Sequence, residues 1–471
     1  RQKLQKLNTA DLTQQLWLIE ASLTTLAQAT HRTKMEIAPL TTAVHPKSNW
    51  SNIQTDINNR LLDNAARIGY RLKNAAHTQG GEAFWLGMRQ DFAGNFFAVE
   101  PSGIDLYSGL PGIALFLAHL GHLTQEAQYT ALAHKATKTA LSLLKQDNAN
   151  VESIGAFVGW GGLIYALVQL GILWQDDALL KEAVIRAKQL PGVINKDEKY
   201  GIIIGSAGCV GALLALSQVT NAPDVLDIAA LCGDHLVKQA IEIDGALAWQ
   251  QHDIVTIQQP LTGFSYGVAG IAWSLIRLAE ATGEQKYAKV ALQSLTYERR
   301  FFSNENQNWA DLRVFSQPED SNASEQSNFM SSWCHGAPGI GLARLSTLPW
   351  LDDQIVRHEI DVALETTLAR GFGTSHCLCH GDLGNLELFL QAQRRLGAKW
   401  SGHVTSVATT VLDSIEKNGW LCGNPSHLEE PGLMTGLAGI GYGLLRVAAP
   451  DQVPSVLLLE TPMLNGQDKP G

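Results

Sequence analysis

Hydrophobic positions along the chain fall into two alternating kinds of segment. Short runs are apolar on nearly every side, such as Ile113–Leu120 and Ile440–Leu445. Between them lie more polar stretches whose apolar residues recur at helical spacing, as from Gln125 to Leu144. A helix that is apolar all round is buried, and an amphipathic one covers it. A Gly-x-x-Gly turn introduces each apolar run. Seven copies begin at Gly109, Gly159, Gly205, Gly267, Gly336, Gly381 and Gly436, at intervals of 45 to 69 residues. A period of about 50 residues marks a repeat architecture. The alternation typical of strands is scarce. The pattern therefore predicts an all-α protein, an α/α toroid with about seven inner and seven outer helices.

Composition narrows the possibilities. A chain of 471 residues could hold two or three average domains, but the repeats merge most of it into one. The hydrophobic content of 45% supports a large core. A net charge of −10, with no basic cluster, excludes non-specific nucleic-acid binding. The uncharged run Ser153–Trp174 is long enough to span a membrane. It carries five glycines and falls on the repeat register, so a buried inner helix is expected and no membrane span. No signal peptide is visible, which points to a cytoplasmic location. Six cysteines in this length do not make a disulfide framework.

Chemistry concentrates in two of the seven turns. One reads Ser332-Trp-Cys334-His335-Gly336, the other Cys377-Leu-Cys379-His380-Gly381. Thiolate and imidazole are preferred zinc ligands, and three of them make an open catalytic site with a fourth position for water or substrate. Adjacent side chains diverge by about 100° in mid-helix. Irregular backbone just ahead of a helix start lets them converge. Cys377 falls off the register, and Cys209, Cys232 and Cys422 read as small core residues.

These motifs, with Tyr297–Ser303, Asn308–Arg313, Gly432–Gly443 and Val453–Glu460, resemble the C-terminal cyclase domain of class II lanthipeptide synthetases. That domain is related to the stand-alone lanthionine cyclases. The segment Asp11–Ala27 is similar to the end of the dehydratase domain that precedes such cyclases. The resemblance divides the chain into a dehydratase remnant and linker (1–59), a cyclase-like toroid (60–460) and a tail (461–471). The start at Arg1 fits a fragment of a longer protein, with a covalently linked dehydratase domain as partner.

The resemblance implies a reaction. A cysteine of a dehydrated precursor peptide adds to dehydroalanine or dehydrobutyrine, giving lanthionine or methyllanthionine. It also implies one Zn²⁺ per chain, held by Cys334, Cys379 and His380. A free thiol with pKa about 8.5 is mostly protonated at neutral pH, and coordination deprotonates it. The enolate formed by the attack then needs a proton, so a general acid belongs beside the metal.

The chain departs from the family where that acid is expected. The usual His before the Gly of copy four is Tyr266, and the usual Asp four residues before copy three is Gly201. His335 and Tyr266 both stand one residue ahead of a marker Gly and are the remaining candidates. His335 is the better one, because tyrosine is a poor base at neutral pH. Asp197 and Glu198 lie near the missing Asp, Asp382 suits a helix start, and Trp333 reads as a packing wall. The alternative function is a zinc-containing but catalytically weakened peptide-binding domain. A toroidal glycoside hydrolase would need paired carboxylates at the mouth. No Asp or Glu stands one or two residues before any marker Gly.

Overall fold

The computed structural model describes residues 9–30, 50–90, 97–145, 153–251, 259–313 and 329–462. Of the expected remnant and tail, residues 1–8, 31–49 and 463–471 lie outside the described residues.

Helices α1 (Thr9–Thr30) and α2 (Trp50–Ala75) precede six inner–outer pairs. These are α3/α4 (Leu110–Thr124, Ala127–Leu143), α5/α6 (Trp160–Trp174, Asp177–Ala187) and α7/α8 (Ser206–Val219, Pro223–Gln239). They continue with α9/α10 (Val268–Thr282, Gln285–Arg299), α11/α12 (Ala337–Ser346, Gln354–Arg370) and α13/α14 (Asp382–Leu396, Ser401–Asn418). The last inner helix is α15 (Leu437–Ala448). Each inner helix packs on the next, and α15 packs on α3 to close the ring. The outer partner of α15 is α2, from the other end of the sequence. The result, among the described residues, is an α/α toroid of seven inner and seven outer helices, as the hydrophobic pattern predicts.

The Gly-x-x-Gly turns have one physical cause throughout. The first Gly of every copy is the N-cap of an inner helix. The second packs against the carbonyl of the residue three before the first. A Cβ on Gly439 would lie 1.6 Å from the Leu433 oxygen, and one on Gly162 2.5 Å from that of Ala156. Any side chain there would push the helix off its own turn.

A backbone feature that the pattern does not predict links the turns. The N–H group two residues before each marker, and in five of the copies also the one three before, donates to a carbonyl two, sometimes three, residues before the marker of the next copy. The series runs from Tyr107 to Phe157, then Ile203, Ser265, Cys334, Cys379 and Met434, and Met434 donates back to Tyr107. Seven irregular turns, which would otherwise leave polar backbone unpaired, thereby form a closed ring.

The C-terminal segment packs against the inner helices, with Leu459 beside Gly211 of α7. Val453–Leu459 is buried, and the Glu460 carboxylate accepts from Gln391 at 2.9 Å and Ser455 N–H at 2.8 Å. Its carbonyl accepts from Tyr165 at 3.1 Å and Gln169 at 2.7 Å. Among the described residues four two-stranded hairpins sit between helices: β1–β2 (His77–Gln79, Glu82–Phe84), β3–β4 (Leu86–Gln90, Phe97–Pro101), β5–β6 (Ile241–Ile243, Ala246–Ala248) and β7–β8 (Phe302–Ser303, Asn308–Trp309). Most are too short to show an alternating pattern. Among the described residues no helix is long and apolar enough to cross a membrane, and Ser153–Trp174 contains the buried helix α5.

Candidate metal centre

Two positions of each copy stand on or next to the backbone ring, directly before the marker Gly. In copies five and six these are Cys334 and His335, and Cys379 and His380. Ligand atoms of Cys334, Cys379 and His380 all lie within 4.8 Å of one another. The two turns are tied directly, by Cys334 N–H donating to the Cys379 carbonyl at 3.2 Å. Gly336 has φ +89°, and a Cβ there would meet the Met330 oxygen at 1.7 Å, so only glycine lets Cys334 approach. Asn308 clamps the same turn. Its Oδ1 accepts from Ala337 N–H at 2.8 Å and its amide donates to Met330 O at 3.1 Å.

His380 Nε2 lies 2.8 Å from the carbonyl of Gly423. A carbonyl only accepts, so Nε2 carries the hydrogen and, in the neutral ring, Nδ1 holds the lone pair. Fixing a ligand histidine through its other nitrogen is the usual outer-shell arrangement. The contact with Cys379 and burial push the Cys334 thiol well above its ordinary range. Two touching buried thiols do not ionise together unless a cation shares their charge. A divalent ion does that, so the donor set fits zinc in type, number and proximity. Cys377 lies outside the trio but beside it: its Sγ is 3.4 Å from Ser375 Oγ, and the neighbouring His380 imidazole draws its thiol below the ordinary range despite burial.

His335 and Tyr266 come together but at different depths. His335 is 1% exposed, whereas Tyr266 is half-buried. Their rings lie 6.2 Å apart and 25° from parallel. His335 Nε2 is 3.4 Å from Ser265 Oγ, and its Nδ1 is 3.8 Å from Asp311 Oδ1. Burial and the nearby Arg313 guanidinium push the His335 imidazole down to about 3. Burial and Cys379 push the Tyr266 phenol up. Trp333 is a packing wall, edge-on to Phe157 at 5.4 Å. Asp382 accepts from Gly373 N–H at 2.8 Å and is pushed up to about 7 by burial.

Gly201 has no room for a side chain. A Cβ would lie 2.8 Å from Tyr266 Cα and 2.9 Å from Ser265 O. Asp197 does not stand in for the missing carboxylate, because it holds its own loop. It accepts from Ser206 N–H at 2.7 Å, Ser206 Oγ at 2.6 Å and Lys199 N–H at 3.0 Å.

Three residues near the trio escaped the sequence reading. Tyr107 neighbours the Cys379 thiol, and burial together with that thiol pushes its phenol up. Tyr107 stands two residues before the marker of copy one, so the register could have flagged it. Asp311 and Arg313 form a two-point ion pair beside His335. They stand in no repeat register, and only their place in the segment Asn308–Arg313 hinted at a role.

A toroid with two thiols and an imidazole at its mouth defines the class of protein. Residues 100–458 match the model of the lanthionine synthetase C-like protein family, and the chain belongs to that family. The lacticin 481/lactococcin biosynthesis protein LcnDR2 of Lactococcus lactis subsp. lactis is 23% identical over 368 residues, 73% of this chain and 36% of that protein. The nisin biosynthesis protein NisC of the same organism is 23% identical over 322 residues, 63% of this chain and 75% of that one. The chain thus spans about a third of the first relative's length. In three dimensions it is similar to nisin cyclase, with a TM-score of 0.58 at 19% identity over 87% of this chain and 98% of that one.

Proposed function

We propose that this chain closes thioether rings in a dehydrated precursor peptide, with one zinc ion held by Cys334, Cys379 and His380. The observation that carries the reading is the convergence of those three donors on two adjacent turns of the toroid's backbone ring. When bound, the ion supplies the positive charge that keeps a peptide cysteine as thiolate near neutral pH.

The remaining work falls to the chain's own residues. The sulfur adds to the β-carbon of the dehydro residue, and the double-bond electrons move onto its amide as an enolate. A proton then returns to the α-carbon, so the net change is addition of S–H across the double bond. His335 and Tyr266, with rings side by side next to Cys334, are the residues proposed to handle that proton. A covalently linked dehydratase domain belongs to the same proposal, supported by the greater length of LcnDR2 and the resemblance of Asp11–Ala27.

The test is mass spectrometry of a dehydrated peptide incubated with and without the protein, followed by thiol alkylation. Ring closure removes alkylatable thiols without changing the peptide's mass. A thiol count that falls no faster than in the protein-free control contradicts the proposal. Tyr266 and the unfillable Gly201 favour a second reading, a domain that binds the peptide and leaves ring closure slow. Saturable peptide binding without acceleration would select it.

A further inference from the structure

Asp311 and Arg313 are joined as a fork. Asp311 Oδ1 lies 3.0 Å from Arg313 Nε, and Oδ2 lies 2.6 Å from Nη2. The Arg313 backbone N–H also donates to Oδ1 at 3.2 Å. The Asp311 side chain is 1% exposed and the Arg313 side chain 24%. The carboxylate is therefore the anchor, and the arginine is the more exposed side chain of the two. Two further contacts fix the pair beside the Cys334 turn. Asp311 Oδ1 is 3.8 Å from His335 Nδ1, and Arg313 Nη2 is 3.5 Å from Met330 Sδ. The segment is held from the other side by Asn308, which also clamps the helix start after Cys334. Arg313 lies close enough to Cys334 and Tyr266 for its charge to act on both.

We infer that Arg313, positioned by Asp311, stabilises the negative charge that develops on the peptide's amide oxygen during thiol addition. The inference rests on the ring-closing function proposed above. As sulfur bonds to the β-carbon, the carbon–carbon π electrons shift toward the α-carbon and the carbonyl oxygen. The guanidinium N–H groups hydrogen-bond that oxygen, and the bond strengthens as charge grows on it. The proton then arrives at the α-carbon, the carbonyl re-forms, and no atom is lost. Guanidinium stays charged at any working pH. It can therefore support the enolate where Tyr266 and Gly201 replace the acid–base residues expected by resemblance.

The inference is tested with two small thiols that differ only in the oxygen they offer, mercaptoacetate and mercaptoacetamide. Their affinities for the zinc-loaded protein are measured by calorimetry, with metal content determined in parallel. In wild type the carboxylate oxygen takes the place of the enolate oxygen on Arg313. The ratio of the two affinities should fall about tenfold or more in Arg313→Met, the scale of a lost hydrogen bond between charged groups. Arg313→Gln is made beside it, so that a folding defect in one variant does not decide the outcome. Asp311→Asn keeps the cation but loosens it and should move the ratio less. On a dehydrated peptide, Arg313→Gln should lower kcat and leave KM nearly unchanged. A ratio that stays constant in both Arg313 variants, with full metal content, overturns the inference alone. If wild type binds neither thiol, the metal-site reading falls and takes this inference with it.

Discussion

The two halves of the mouth share a backbone and differ in almost everything else. Copies three to six all contribute to the same hydrogen-bonded ring and start their helices on the same glycines. At the two positions before the marker, copies five and six carry Cys334, His335, Cys379 and His380. Copies three and four carry Ile203, Ile204, Ser265 and Tyr266. The supporting groups differ as well. On the first half Asn308 clamps the turn after Cys334, Asp311 holds Arg313, and the Gly423 carbonyl aims His380. On the second, Asp197 is fully engaged with its own loop and Gly201 is packed against backbone. The ring decides where chemistry can happen, and the side chains placed on it decide whether it does.

The largest effects should come from the donor half. Cys334→Ala is expected to bring ring closure down to the uncatalysed rate, whereas Ile203→Ala, at the equivalent position of copy three, should leave most of the activity. Alkylation time courses on one peptide compare the two. Similar losses would mean that the halves are not divided as described.

Beneath the donor half, Arg344 is 2% exposed and bridges Glu298 at 2.7 Å and Glu359 at 2.8 Å. Arg344→Met leaves two buried carboxylates without that cation and should cost about 3–5 kcal/mol, read by urea unfolding. The pH dependence has a definite sign. Burial raises the Glu359 pKa, but Arg344 and Arg299 more than offset this and hold it below the ordinary range. Its stabilising contribution in wild type is complete above the unfolded-state pKa and is lost as pH falls through the folded one. In Arg344→Met, protonation relieves the uncompensated charge. The difference between wild type and variant should therefore narrow as pH falls toward and through the ordinary Glu range, and a constant difference would argue against the ion-pair account.

Within the pair that joins the halves, His335→Asn should slow ring closure about tenfold or more with metal content unchanged, and Tyr266→Phe should cost less. Single-turnover measurements on the two variants rank them, and the reverse order would move the proton role to Tyr266. The smallest effect is expected at Gly201. Gly201→Ala places a methyl against Tyr266 Cα and should destabilise by about 1–3 kcal/mol. No change in the urea midpoint would mean that the turn has more room than its contacts indicate.

Much of this was legible in the sequence because the repeat is a direct image of the fold. Gly112 and its six counterparts are glycines for a steric reason, so their spacing gave the number and order of inner helices. Cys334, Cys379 and His380 were legible because residue type and register agreed. The backbone ring was not, because it uses N–H and C=O groups that every sequence carries. The pairing of α2 with α15 was hidden for a similar reason, since an amphipathic face does not say which inner helix it covers. Asp311 and Arg313 come from a β-hairpin exit between helices and follow no period. The different depths of His335 and Tyr266 arise from contacts with Asp311 and Ser265, which register alone does not contain.

The account's central claim is that Cys334, Cys379 and His380 form one metal site, and metal content tests it most directly. Elemental analysis of the purified chain should find one zinc per molecule, lost in Cys334→Ala and in Cys379→Ala and retained in Cys377→Ala, whose thiol lies outside the trio. A full equivalent of zinc in both Cys334→Ala and Cys379→Ala, or its loss in Cys377→Ala alone, would contradict the claim.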